Sequence, residues 1–275
     1  MKNAVLMTGC STGIGYVCAH ALAKQGFEVI ASCRKLEDVE RLAKEGLTCI
    51  HLDLADNNSI LSAVEEVRSL TDGKLLGLFN NGAYGQPGAL EDLPTDALRK
   101  QFETNFFGWH TLTQAVIPMM MANGKGRIVQ NSSVLGFVAL KFRGAYNASK
   151  FAVEGWTDTL RLELAGTPVK ISLIEPGPIE TRFRANALEA FYRFIDIESS
   201  RFKRDYLAQR DRMESENSTN KYTLPSESII DPLIHALTAE EPKVRYRVTK
   251  PTHYMAWCKR LLPSKTLDKI LAKGR

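Results

Sequence analysis

AVLMTGCSTGIGYVCAHAL, residues 4 to 22, decides the fold. Ala4 to Met7 is a short apolar run that suits a buried strand, and Val17, Ala21 and Leu22 then recur at helical spacing. Between them Gly9, Gly13 and Gly15 mark a turn where the backbone can pass close to a ligand. A helix that starts after such a turn aims its unpaired N–H groups and positive dipole end at it, and a pyrophosphate binds there. The spacing is G-x-x-x-G-x-G instead of G-x-G-x-x-G, so the strand before and the helix after carry the dinucleotide reading.

The same alternation continues down the chain. Further strands are expected at Phe27 to Cys33, Leu47 to Leu52, Leu75 to Phe79, Arg127 to Gln130, Val169 to Glu175 and, at the sheet edge, Lys243 to Val248. Helices are expected at Leu36 to Lys44, Asp56 to Leu70, Asp96 to Met121 and Ala145 to Leu164. About seven strands alternating with helices give an α/β single domain, a doubly wound parallel sheet covered on both faces. Ligands bind such sheets beyond the carboxyl ends of the strands, so the glycine loop, Arg34, Asp53, Asn80 and Ser133 would line one crevice.

At the end of the second strand an NAD site would want a carboxylate for the ribose 2′-hydroxyl, whereas the guanidinium of Arg34 matches a 2′-phosphate. NADP is therefore the cofactor expected; the plainer alternative is that Arg34 and Lys35 open a solvated helix. Asp53 either reaches the adenine or caps the helix that follows. Asn105 lies among Phe102, Phe106, Phe107 and Trp109, so its amide needs partners, either backbone groups or a water that relays protons to Lys150.

The chemistry lies in GRIVQNSSVLGFVALKFRGAYNASKFAVEG, residues 126 to 155. Tyr146 and Lys150 fall one turn apart on the same helix face. A fixed ammonium there would lower the phenol pKa from its usual ~10, letting Tyr146 exchange a proton with a carbonyl or alcohol oxygen. A serine hydroxyl at the strand end would hold that same oxygen. The same pair also occurs as an ordinary surface contact.

Composition narrows the class. The chain has 275 residues, 44% hydrophobic and 24% charged, enough to bury a large core. A net charge of +5 with acidic and basic residues interspersed does not call for nucleic acid. Five scattered cysteines without a C-x-x-C pair argue against a disulfide framework or a metal site, and point to a reducing compartment. With no removable apolar leader and no long apolar run, a cytoplasmic protein is expected.

Taken together, TGCSTGIG at 8 to 15, DLAD at 53 to 56, NNGA at 80 to 83, Asn105 in TNFFG, Ser133 in SSVLG, YNASK at 146 to 150 and PGPIET at 176 to 181 resemble the short-chain dehydrogenase/reductase family. The branch most resembled contains retinol dehydrogenases, 17β-hydroxysteroid dehydrogenases and bacterial NADP-dependent aldehyde reductases. The resemblance implies a Rossmann-type fold, with Tyr146 as acid/base, Lys150 as its activator and a ligand of the nicotinamide ribose, Ser133 as the oxyanion holder and Asn105 as the anchor of a relay water. It also implies cofactor contacts at Gly9, Ser11, Gly13, Ile14, Gly15, Arg34, Asp53, Leu54, Asn80, Gly82, Pro176, Gly177, Ile179 and Thr181, and a dimer or tetramer. The family usually reads N-N-A-G where this chain has Asn80, Asn81, Gly82 and Ala83, so one cofactor contact is displaced. A binding module without catalysis is the rival reading, and the presence of all four polar catalytic residues weighs against it.

The segment 182–224 carries Phe191, Tyr192, Phe194, Phe202 and Tyr206 among charges and reads as a helical flap that closes over a lipophilic aldehyde, retinoid or steroid-like ketone. The same aromatics at helical spacing also fit plain core. Glu214 to Lys221 reads as a polar, mobile stretch. The tail 252–275 is amphipathic and basic; it either packs on the body or a second subunit, or makes weak contact with a membrane surface.

Overall fold

The computed structural model describes residues 3–214 and 220–272. Its first half runs β1 (Ala4–Met7), α1 (Gly13–Lys24), β2 (Glu28–Cys33), α2 (Leu36–Lys44), β3 (Thr48–His51), α3 (Asn57–Leu70) and β4 (Gly77–Asn80). Next come α4 (Thr95–Phe102), α5 (Gly108–Asn123), β5 (Gly126–Asn131), α6 (Gly144–Glu163) and β6 (Val169–Glu175). The last part holds α7 (Phe183–Phe194), α8 (Lys203–Glu214), α9 (Ile230–Thr238), β7 (Arg245–Arg247), α10 (Lys250–Leu261) and α11 (Ser264–Leu271).

The seven strands form one parallel sheet in the order β3-β2-β1-β4-β5-β6-β7. This is the doubly wound Rossmann-type arrangement, and the order reverses between β1 and β4, where crevices form. Every residue of β1 is buried, with Ala4 and Leu6 in one apolar cluster and Val5 and Met7 in the other. That alternation puts successive side chains on opposite faces, so a strand covered on both sides reads as an unbroken apolar run. Trp109, Val116 and Val153 cover one face; Leu22, Leu233 and Leu237 cover the other. A third, smaller cluster of Ala89, Phe191, Ile195, Tyr206 and Met213 lies under α7 and α8.

Three expectations are amended. The single helix expected from Asp96 to Met121 is two, α4 and α5, joined by a π turn at Glu103–Phe107. The cap of α3 is Asp56, whose side chain accepts from the Asn58 N–H, whereas Asp53 accepts from the Ala55 N–H at 2.9 Å in a turn of its own. The aromatics of the flap are mostly core: Phe142, Phe202 and Tyr206 pack edge to face, and the Tyr206 hydroxyl binds Asp92 and the Ala89 N–H. Of the stretch from Glu214 to Lys221, residues 215–219 lie outside the described residues.

The tail packs on the body through buried Thr252, Cys258 and Leu267, leaving Tyr254, Trp257 and Leu261 exposed along α10. Its first turn meets the turn after β6, where a Cβ on Gly177 would fall 2.0 Å from the Thr249 hydroxyl. No helix among the described residues is long and apolar enough to cross a membrane.

Candidate active site

The carboxyl ends of β1, β4, β5 and β6 are laced together by side chains. Thr8 Oγ1 accepts the N–H groups of Asn81 and Gly82 at 2.9 Å. Asn81 donates to the carbonyls of Thr8 and Gly9 and accepts from Asn131 Nδ2 at 2.8 Å. The loops then approach so closely that a Cβ on Gly9 would lie 2.6 Å from Gly82 Cα. Small residues are required on both sides of that contact, which fits glycine at 82. Ala83 packs against the core instead. After β5, Val134 N–H donates to the Pro176 carbonyl at 2.7 Å and ties the serine loop to the Pro-Gly turn.

The glycine loop suits an anion. Gly9 and Gly13 have φ of +69° and +59°, and α1 starts with neither a side-chain cap nor an acidic residue in its first turn. Its first N–H groups therefore keep their capacity for a phosphate. Half-buried Ser11 has its carbonyl held by Arg41 at 2.7 Å, and half-buried Ile14 packs on the core. Thr181 stands over Gly13, 3.1 Å from where a Cβ would be, and Ile179 bridges to Leu224. Leu54 is buried against Gly82. Arg34 is exposed and makes no ion pair among the described residues, while Cys33 is buried with its sulfur 3.9 Å from that of Cys49. Asn80 is fully buried and its amide donates to Thr113 at 2.9 Å, so that side chain turns away from the crevice.

Tyr146, Lys150 and Ser133 come together as their spacing predicts, all of them buried. Lys150 Nζ donates to the Asn131 carbonyl at 2.7 Å and lies 4.2 Å from the centre of the Trp109 ring. Trp109 in turn donates to the Gly82 carbonyl at 2.8 Å, a positioning link that its apolar setting in the sequence concealed. The expected lowering of the Tyr146 phenol by Lys150 is not realised. Burial pushes that phenol up to about 12, with the Ser133 hydroxyl acting against it. Burial likewise brings Lys150 down to about 7, opposed by the charge of Glu154. Both groups are thereby held toward their neutral forms.

Asn105 occupies the π turn and is fully buried. Its side chain accepts from the Tyr84 N–H at 3.1 Å and donates to the Tyr84 carbonyl at 2.8 Å and to Ser149 Oγ at 3.3 Å. The amide thereby clamps the loop after β4 to α6. Such a π turn is a frequent device at functional sites. Phe183, the first residue of α7, lays its ring edge-on to Tyr146 with centroids 5.3 Å apart.

One turn beyond Lys150 begins a network of opposed charges. Arg245 Nη2 lies 3.1 Å from Glu154 and 2.8 Å from Asp158, its Nε lies 2.9 Å from the Glu175 carboxylate, and Glu175 accepts from Arg247 Nε at 3.2 Å. Glu175 is 1% exposed, and burial raises its pKa to about 7.

A family model described as short chain dehydrogenase matches residues 3–190. The uncharacterized oxidoreductase YbbO of Escherichia coli K12 is 43% identical over 272 residues, covering 98% of this chain and 94% of that protein. An NADPH-dependent 3-dehydrocapnine reductase of Ornithobacterium rhinotracheale is 33% identical over 282 residues, with 99% and 97% covered. The crystal structure of a short-chain dehydrogenase from Streptomyces avermitilis shares the fold, with a TM-score of 0.79 at 24% identity over 100% of this chain and 99% of that one. The chain is thus an oxidoreductase of the short-chain dehydrogenase family.

Proposed function

We propose that the protein is an NADP(H)-dependent reductase of aldehyde or ketone groups on lipophilic compounds. The observation that carries this reading is the Tyr146 phenol, buried beside Ser133 and one turn from Lys150. A neutral phenol is the form that gives a proton to a carbonyl oxygen in reduction, and burial keeps Tyr146 in that form. Ser133 holds the same oxygen, and Lys150 supports the phenol from the Asn131 carbonyl. Asn105 keeps the loop after β4 and α6 at fixed spacing.

When bound, the nicotinamide supplies the hydride. The loop Gly9, Ser11, Gly13, Ile14 and Gly15 would hold the pyrophosphate, Asp53 and Leu54 the adenine end, and Gly82 with the backbone of Asn80 the ribose. Lys150, Pro176, Gly177, Ile179 and Thr181 would hold the nicotinamide end. Arg34, exposed just after β2 and without an ion pair among the described residues, and the lack of a carboxylate at Cys33 support a 2′-phosphate. A relative named as NADPH-dependent supports the same choice. Phe183, at the start of α7 with its ring against Tyr146, keeps water from the reacting atoms.

Oxidation of NADPH and of NADH is followed by absorbance against a panel of retinoid, long-chain aldehyde and ketosteroid substrates. Tyr146→Phe is expected to lose on the order of 10²–10⁴-fold in turnover while retaining NADPH binding by calorimetry. Full activity in that variant would refute the assignment. Replacing Arg34→Ala together with Cys33→Asp should shift preference toward NADH by roughly tenfold or more, and an unchanged preference would remove the 2′-phosphate reading.

A further inference from the structure

We propose that the substrate carries an anionic group, a carboxylate or a phosphate, that pairs with Arg143, Arg184 and Arg212 while its carbonyl meets Tyr146. This rests on the reading of Tyr146 as the acid. Arg143 is the residue on which α6 begins, one turn ahead of Tyr146, and its side chain is half-buried. Its guanidinium donates to the Phe142 carbonyl at 3.1 Å and meets no carboxylate among the described residues. Arg184 is half-buried and follows Phe183, whose ring packs on Tyr146. Arg212 is exposed on α8, the helix that packs against α7. Neither has an acidic partner among the described residues.

Other arginines of the same region do meet carboxylates. Arg193 pairs with Glu189 at 3.2 Å, Arg201 with Glu91 at 2.5 Å and Arg210 with Asp211 at 2.9 Å, and in each pair at least one side chain is largely exposed. Exposed Arg182 and Arg204 also have no ion pair among the described residues, and what sets Arg143 and Arg184 apart is that they are half-buried, one ahead of Tyr146 on α6 and one beside the Phe183 that packs on it. Burial first, then the charges of Arg212 and Arg184, bring the Arg143 pKa down to about 10. Burial and then Arg184 lower Arg212 in the same way. Three guanidinium groups that repel one another in a partly desolvated space are stabilised together by one bound anion. The planar fork of arginine suits carboxylate and phosphate alike.

The backbone fixes this cluster in place. Phe142 has a φ of +61°, a conformation uncommon for an aromatic residue. It is held there because its carbonyl accepts from the Gly88 N–H at 3.0 Å and its ring packs on Phe202 at 5.3 Å and Tyr206 at 5.5 Å. Arg143 is therefore aimed by a strained residue anchored on the flap core. The ligand class that follows is an oxo compound with an anionic group within reach of the mouth of the crevice, such as an oxo acid or a phosphorylated ketone.

The test uses an ω-oxo fatty acid and its methyl ester, which differ only in charge, with NADPH and the full chain. The wild type should prefer the free acid by about tenfold or more in kcat/KM, expressed mainly in KM. Arg143→Met combined with Arg184→Met should bring the acid-to-ester ratio close to one, and Arg143→Lys should keep part of it. Equal use of acid and ester by the wild type, or a ratio that survives the double substitution in a protein of unchanged melting temperature, overturns the anion site; turnover of the ester would still uphold the reductase reading. Failure to turn over either compound would count against that reading instead. In that case calorimetric binding of an unreactive fatty acid and an alkyl phosphate of equal chain length, to the NADPH-loaded wild type and double variant, decides the anion site. Binding lost in the variant supports it, and the stronger of the two ligands identifies the head group. Equal or absent binding in both proteins refutes it.

Discussion

Two groups of charge flank the catalytic turn of α6, and they are built in opposite ways. Past Lys150, Glu154, Asp158 and Glu175 meet Arg245 and Arg247, so that every charge in a buried space has a partner. Around Tyr146, half-buried Arg143 and Arg184 and exposed Arg212 have no carboxylate partners among the described residues. The first arrangement holds β6, β7 and α6 together, whereas the second has no countercharge among the described residues. Charge that closes on itself serves the fold, and charge left open near a reactive group serves a ligand.

Substitutions can break this contrast. The largest effect is expected from Arg245→Met, which strands the carboxylates of Glu154 and Glu175. Removing one partner from a buried pair costs about 3–5 kcal/mol, to be read from urea denaturation. A loss below about 1 kcal/mol would mean that the closed network is not structural. Next in size is Glu175→Gln. The native pKa of Glu175 is raised from 4.5 to about 7, so its favourable contribution is full below about 4.5 and is lost as pH rises through about 7. That decline, up to ~3 kcal/mol, should shrink in the variant when stability is followed across this range, the remainder coming from Glu154, whose pKa burial also raises. Lys150, lowered from 10.5 to about 7, acts above that window, where stability rises with pH, and does not mask the result. The smallest effect belongs to Arg143→Met, which should change stability by less than about 1 kcal/mol, toward greater stability, because it relieves like-charge repulsion. A loss of several kcal/mol on thermal melting would make Arg143 structural and erase the contrast.

Much of the closed half is legible in the sequence. The strands β1 and β6 and the helix α2 fall where the apolar period places them, because elements buried on one or both faces write that burial into their spacing. Tyr146 and Lys150 are legible for the same reason, being one turn apart on one helix. The π turn at Asn105 is not, since one added residue in a run rich in phenylalanine leaves no glycine or proline to announce it. The linking roles of Asn81 and Trp109 are equally hidden, because their partners Thr8, Asn131, Gly82 and Lys150 arrive from distant strands and helices. The direction of the pKa shifts at Tyr146 and Lys150 depends on how deeply both are buried, which spacing alone does not reveal.

The sheet order also has a consequence in time. β7 pairs with β6 across the 70 or so residues of the flap and α9, a gap as long as that between β1 and β4, and it is the last strand of the sheet to be made. As the chain leaves the ribosome, Glu154 and Glu175 emerge well before Arg245 and Arg247. The first six strands must therefore assemble around two carboxylates that have no countercharge, and the short, arginine-bearing β7 completes the domain like a clasp. Pulse-labelled hydrogen exchange during refolding should find the β6–β7 amides protected last; protection as early as that of β1 and β4 would remove the clasp from the sequence of events.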